Sequence, residues 1–134
     1  MVEVVHTAGK RKTAIARATV RPGKGVIRIN GIPLEIYSQE IARMRLMEPL
    51  LIAGELASKI DADIKVFGGG WHAQAEAARL ALAKALVKFF NSKDLEKAYF
   101  DYDKSLLVAD TRRKEPKKFG RHSRARARRQ TSYR

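Results

Sequence analysis

The sequence contains no cysteine, so neither a disulfide framework nor a thiolate metal site can be drawn from it. Histidine is scarce too. His6, His72 and His122 stand far apart and show no ligand spacing, so no metal is expected. There is no long hydrophobic run. The longest apolar stretch, LALAKALVKFF, is interrupted by Lys84 and Lys88 and cannot span a bilayer. The opening MVEVVHTAGK carries Glu3 and lacks an apolar core segment, so no secretory leader is expected there and a cytoplasmic protein is. Neither GxxxxGK[ST] nor GxGxxG occurs, which removes the two common nucleotide-phosphate signatures. Above all, acid is short. Fourteen Asp and Glu face 28 Lys and Arg, leaving a net charge of +14. An excess of that size asks for a polyanionic partner, either nucleic acid or an acidic membrane surface.

What is present is enough for one domain. The 134 residues are 45% hydrophobic, near the average for a chain that buries a core. The positive charge is not spread evenly. Residues 10–28 hold seven basic residues and no acid, residues 29–109 hold ten basic against eleven acidic, and residues 110–134 hold eleven basic against Asp110 and Glu115. A uniformly solvated basic surface would not leave the middle neutral. The division predicts a globular body over 1–109 and a basic extended tail over 110–134.

Periodicity supplies the elements. VEVVHT reads as a short strand. From Arg11 to Arg21, Ala14, Ala16, Ala18 and Val20 alternate with Thr13, Ile15, Arg17, Thr19 and Arg21, the period of a strand with one buried face. RPGK follows, with Pro22 and Gly23 suited to the centre of a type II turn, and VIRIN resumes as a strand. Together these predict a hairpin. Residues 38–57 read as helix in two pieces broken near Pro49. ADIKVF is a strand with Ile64 and Val66 inward, Gly68 to Gly70 punctuate it, and a long helix runs from Trp71 to Phe90. Its predicted buried stripe is Trp71, Ala75, Ala78, Leu82, Leu86 and Phe89. A shorter helix covers Asp94 to Asp103. The class is α+β, a mixed α/β two-layer arrangement with helices on one sheet face.

Four features could carry chemistry. FGGGWHAQ lies between a strand and a helix. Gly69 and Gly70 could be a tight turn, could meet an RNA backbone at a helix N-terminus, or could serve a small phosphotransferase, though the lysine for a nucleotide phosphate is missing. His72 and Glu76, one helical turn apart, read as a solvated surface pair. Asp101 and Asp103, beside Tyr99 and Tyr102, read as a polar helix end, because no pocket or partner accompanies them. GKRKTAIARA brings Lys10, Arg11 and Lys12 into a strand bearing Arg17 and Arg21 on its exposed face. Lys24 and Arg28 continue the run. Arg17 and Arg21 would stand about 13 Å apart, at a rise of ~3.3 Å per residue, a span suited to successive phosphates. The alternative is an edge strand guarded by charge.

The tail is the strongest feature. Arg112, Arg113, Lys114, Lys117, Lys118 and Arg121 lead into Arg124, Arg126, Arg128 and Arg129, several alternating with alanine. Arginine binds phosphate bidentately and stacks on bases. Thr131 and Ser132 add hydroxyl donors and Tyr133 a ring. The segment buries too little to fold alone. Extended, its 25 residues reach about 80 Å at ~3.3 Å each, against a body radius of roughly 14 Å. It is expected to order on a polyanion. A localisation signal or a nonspecific charge brush is the other reading. At the level of the whole protein, a sequence-neutral nucleic-acid-compacting protein is the alternative.

TAGKRKTAIARA, GKGVIRING, GGGWHAQAEAARLALAKAL and DTRRKEPKKFGRHSRARARRQTSYR together resemble the S-nine family of small-subunit ribosomal proteins, over essentially the whole chain and in its archaeal form. That resemblance implies a nonenzymatic, cofactor-free protein of the small-subunit head. Its partners would be the small-subunit ribosomal RNA, P-site transfer RNA and neighbouring head proteins, with no membrane involved. It implies a fold like the second domain of ribosomal protein S-five, with a left-handed βαβ crossover. It assigns RNA anchoring to Lys10, Arg11, Lys12, Arg17 and the arginines from 121 to 129. The last residues, Ser132, Tyr133 and Arg134, would touch the anticodon stem-loop of P-site transfer RNA.

Overall fold

A computed structural model describes residues 3–37, 39–121 and 125–126. Five strands form one sheet: β1 (Val5–Arg11), β2 (Ala14–Pro22), β3 (Ile27–Ile29), β4 (Ile32–Pro33) and β5 (Ile60–Phe67), in the order β1-β2-β5-β3-β4. Three helices, α1 (Glu40–Ala53), α2 (Trp71–Phe90) and α3 (Lys93–Tyr102), complete the fold, with short 3-10 turns at Leu34–Ile36, Gly54–Lys59 and Lys104–Leu106. The mixed sheet with helices on one face is the expected architecture.

The alternation in β2 holds. Ala14, Ala16, Ala18 and Val20 are at most 1% exposed, while Arg17 and Arg21 face outward. These small residues let α2 lie close. Its own inner surface is largely alanine, with Ala73, Ala77, Ala78, Ala81 and Ala85 buried. On β1 the close approach falls at Gly9, where an added Cβ would overlap the Ala77 carbonyl and stand 2.8 Å from the Ala81 nitrogen. The Thr7 hydroxyl donates to the Ala81 carbonyl at 2.7 Å, tying the same strand to the same helix. The predicted α2 stripe is buried at Ala75, Ala78, Leu82 and Leu86. Trp71, at the first turn, is instead 40% exposed, and Phe89 is partly buried.

The predicted β2–β3 hairpin does not form. β5 lies between the two strands, antiparallel to β2 and parallel to β3. The connecting loop is clamped to β5 instead. The Asp61 carboxylate accepts from the Lys24 and Val26 amides at 2.9 and 3.0 Å, and the Gly23 and Gly25 amides donate to the Lys59 and Ile60 carbonyls. The positive φ falls at Gly25 (92°) rather than at Gly23, so the proposed type II turn is absent. The hairpins that do form are β1–β2, through Lys12 and Thr13, and β3–β4, through Asn30 (φ 51°) and Gly31 (φ 80°). The second has the two positive φ values of a type I′ turn. Beyond the end of β3, the Asn30 amide side chain pairs with both backbone groups of Val66, at 2.8 and 3.1 Å, and so prolongs the ladder.

Pro49 does not break its helix. α1 runs through it to Ala53 and stops at Gly54, whose φ of 58° turns the chain; the remainder of the predicted helix is a 3-10 turn. Proline removes one intrahelical bond, to the Arg45 carbonyl. The compensation is burial of the ring against the core and use of the Pro49 carbonyl, which accepts from the buried Tyr99 hydroxyl at 2.7 Å. α3 begins one residue before the predicted start, capped by the Ser92 hydroxyl. Beyond Leu106 no helix follows among the described residues.

Replacing Gly9 with alanine forces β1 away from α2. Such overpacking costs typically about 1–3 kcal/mol. Gly9→Ala is therefore expected to lower the denaturant midpoint with an unchanged slope, whereas Gly31→Ala, which meets no atom within 4 Å, acts only through its positive φ.

Candidate nucleic-acid interface

With the helices on one face, the other face of the sheet is open. The register puts Lys10, Ile15 and Phe67 in one outward row, Ala8, Arg17 and Lys65 in the next, and His6, Thr19, Asp63 and Arg28 in a third. Lys10, Arg17, Arg21, Arg28 and Lys65 are all exposed there. Arg17 lies over the Phe67 ring at 5.6 Å. Lys65 and Phe67 were not singled out from the sequence, although the alternation that sends Ile64 and Val66 inward sends both outward.

Because β5 intervenes, this face is less purely basic than the segment 10–28 suggested. Asp63 stands 3.2 Å from Arg21, on two half-exposed side chains. Asp61 is committed to the loop that carries Lys24. The backbone amides of Val26 and Lys24 hold its carboxyl below the usual carboxylate range.

Arg11 departs furthest from its expected place. Its register sends it to the helix side, and only 13% of its side chain is exposed. Nε donates to Glu76 of α2 at 2.8 Å, another nitrogen lies 3.4 Å from Asp110, and a third donates to the Arg112 carbonyl. Glu76 is thus more than the solvated partner of His72, which lies 3.8 Å away. Asp110 in turn receives the Arg112 guanidinium at 2.7–3.1 Å and the Arg112 amide at 3.0 Å. These bonds from Arg112, with the charge of Arg11, hold the Asp110 carboxyl far below its ordinary value. A carboxylate therefore fixes where the tail leaves the body.

The consequence is a meeting of the two basic segments. Lys12, at the tip of the β1–β2 turn, shares with Arg112, Arg113 and Lys114 a cleft of about 680 Å³ that Thr13 also lines. Lys12 adopts φ 52° and is exposed. The glycine turn abuts the same corner. Gly68 (φ 77°) and Gly69 (φ 67°) pack against Thr13 and Ala14, so a Cβ on Gly69 would stand 3.1 Å from the Ala14 nitrogen. That accounts structurally for Gly69. Gly70 meets nothing within 4 Å and precedes the first turn of α2.

Further along the tail, Lys117, Lys118 and Arg121 are exposed, and Arg126 pairs with Glu115 through a two-pronged contact. Arg124, Arg128, Arg129, Ser132, Tyr133 and Arg134 lie outside the described residues. Arg79, to which the sequence pattern assigned no role, is the one buried charge among the described residues. It is 4% exposed, salt-bridged to Glu48 and Asp103, and bonded to the Ser105 hydroxyl at 3.0 Å. Asp103 is thus a helix end with a structural partner. Among the described residues no group of three or more His, Cys, Asp or Glu could hold a metal, and no helix is long and apolar enough to cross a membrane.

An α+β body opens a basic sheet face and roots a cationic tail beside a basic turn, which is a surface suited to a polyanion. The comparisons give the particular family. The model of the family described as Ribosomal protein S9/S16 matches residues 9–134, and the chain belongs to that family. It is similar to proteins named small ribosomal subunit protein uS9 from three archaeal sources. The Desulfurococcus amylolyticus protein is 48% identical, over 99% of this chain and 94% of the relative. Those of Methanothrix thermoacetophila and Methanococcus maripaludis are 51% and 52% identical, over 99% of this chain and all of each relative.

The depressed Asp110 carboxyl has a consequence for pH. A group whose folded pKa is lowered stabilises above its unfolded value, near 3.9, and loses that contribution only as pH falls below it. The protection factor of the Arg112 amide, the unstructured exchange rate at the same pH divided by the observed one, is expected to stay constant from neutral pH to about 4 and to fall below. In Asp110→Asn it is expected to be low already at neutral pH. Equal protection in both proteins at pH 7 would refute the anchoring role.

Proposed function

We propose that this chain is a structural, noncatalytic constituent of the small ribosomal subunit. It holds small-subunit ribosomal RNA in the subunit head with its body and extends its tail to the anticodon stem-loop of P-site transfer RNA. The observation that carries this reading is the cleft where Lys12 of the β1–β2 turn meets Arg112, Arg113 and Lys114 at the start of the tail. Two basic segments about a hundred residues apart act there as one surface, and the tail departs from it. Family membership and the names of the relatives support the ribosomal setting.

The physical mechanism is phosphate neutralisation followed by ordering of the tail. Lys10, Arg17, Arg21, Lys24, Arg28 and Lys65 project from the open sheet face and its loop and suit a folded RNA backbone, whose charge they offset without reading sequence. Arg11 supports this surface indirectly, by holding Asp110 and hence the tail root. The tail arginines, from Arg121 through Arg124, Arg126, Arg128 and Arg129, then follow RNA into a place the body cannot enter. Ser132, Tyr133 and Arg134 provide a hydroxyl, a stacking ring and a guanidinium for the anticodon stem-loop. Neighbouring head proteins are further partners in this reading, and the setting is the cytoplasmic ribosome.

Binding of the purified protein to structured small-subunit RNA is expected to weaken linearly on a logarithmic salt scale, as counterion release requires. The double variant Lys12→Gln, Lys114→Gln should reduce that slope by about 2, one for each phosphate no longer neutralised. Binding indifferent to salt, or equal competition by duplex DNA, would remove the RNA reading. Deleting residues 132–134 is expected to leave melting temperature and subunit assembly unchanged while weakening transfer RNA binding at the P site, measured by filter binding to reconstituted subunits. Unchanged affinity there would refute the tail's role alone.

A further inference from the structure

We propose that a cavity at the root of the tail is an oxyanion site that takes a single phosphate group, supplied in the assembled particle by the RNA backbone. The inference rests on the RNA reading above and names a position on the protein which that reading did not include. The cavity has a volume of about 200 Å³. Four arginines from four parts of the fold line it: Arg11 of β1, Arg45 of α1, Arg79 of α2 and Arg112 of the tail. The carboxylates lining it are Glu76 and Asp110.

Those carboxylates are already committed. Glu76 accepts from Arg11, and Asp110 accepts from Arg112 and faces Arg11. Arg79 is held from outside the cavity lining by Glu48 and Asp103. Arg45 has no carboxylate within 4 Å among the described residues. Glu76, Asp110, Glu48 and Asp103 offset Arg11, Arg79 and Arg112, so Arg45 is the cavity arginine whose charge meets no carboxylate among the described residues. A tetrahedral oxyanion would offset that charge, because its oxygens accept several guanidinium forks at once. A volume equal to several water molecules, at ~30 Å³ each, admits a phosphate group. The Arg45 guanidinium disfavours a cation there.

Occupancy would also have a mechanical effect. The phosphate would join α1, α2 and β1 to the first residues of the tail, so that RNA bound at the body sets the tail's direction of exit.

The test uses the full-length, nucleic-acid-free protein. Thermal melting is compared in sodium phosphate and in sodium chloride of equal ionic strength at pH 7. Phosphate is expected to raise the melting temperature in a saturable way. Arg45→Gln should melt like the parent in chloride, since Arg45 is only half-buried and unpaired, yet show little of the phosphate shift. Lys118→Gln, an exposed tail cation outside the cavity, should keep it. If Arg45→Gln fails to fold, Arg45→Lys tests the same point, because a point charge replaces the fork and the shift should shrink. The second arm measures the salt dependence of RNA binding, where Arg45→Gln should lower the slope by about 1. A phosphate shift abolished in Arg45→Gln with an unchanged RNA slope supports the oxyanion site and assigns it to free phosphate. Equal melting in phosphate and chloride, or an equal shift in parent and Arg45→Gln, overturns the site. Should that happen while RNA binding keeps its salt dependence, the RNA reading stands and this inference alone falls.

Discussion

The sheet depends on β5 being hydrogen-bonded along both edges. β2 on one side and β3 on the other have no ladder with each other, so the body closes only when β5, arriving after α1, enters between them. Its inward residues Ile60, Ala62, Ile64 and Val66 complete the apolar floor on which α2 rests. Two side chains hold it in register at its ends. Asp61 grips the loop leaving β2, and Asn30 pairs with Val66 as a strand would. Both are polar groups standing in for backbone partners; Asn30 meets the part-buried groups of Val66, and Asp61 ties down loop amides that are exposed.

A second constraint is electrostatic. A protein with this excess of cations must fold while its like charges repel, and the structure answers by giving its few carboxylates structural posts. Asp110 and Glu76 hold Arg11, Glu48 and Asp103 hold Arg79, Asp61 holds a loop, and Asp63 tempers Arg21. Other cations stand on the open sheet face, at the β1–β2 turn and along the described part of the tail, and more, such as Arg43, Lys84 and Lys93, on the helices. In the proposed ribosomal role this partition separates two kinds of arginine. One kind makes the body cohere, orients the tail and lines the inferred oxyanion cavity, and the other faces phosphate from the open surface.

Much of this was legible in the order of residues. The period of two in β2 and β5 and the bounds of α2 followed from patterns that span a few residues, and the charge zones from simple counting. The misreadings have a common cause. The RPGK segment has good turn chemistry, yet a turn does not disclose whether the strands it joins become neighbours, and here a strand from further down the chain takes the place between them. Pro49 ordinarily ends a helix, but its ring is buried and its carbonyl receives Tyr99, so a contact distant in sequence outweighs the local rule. Arg11 and Lys12 are alike in sequence and opposite in fate, because the pleat turns one inward and the following turn exposes the other.

The sequence by itself determined which faces of the strands are apolar, where the longest helix lies, and that a strongly cationic end follows a neutral middle. Each is a property of neighbouring residues and of composition, and no partner in space can alter it. Only the tertiary structure decided the strand order, the burial of Arg79 and the meeting of Lys12 with Arg112, Arg113 and Lys114. These depend on hydrogen bonds and ion pairs between residues far apart in the chain, and such pairings leave no periodic trace in the sequence.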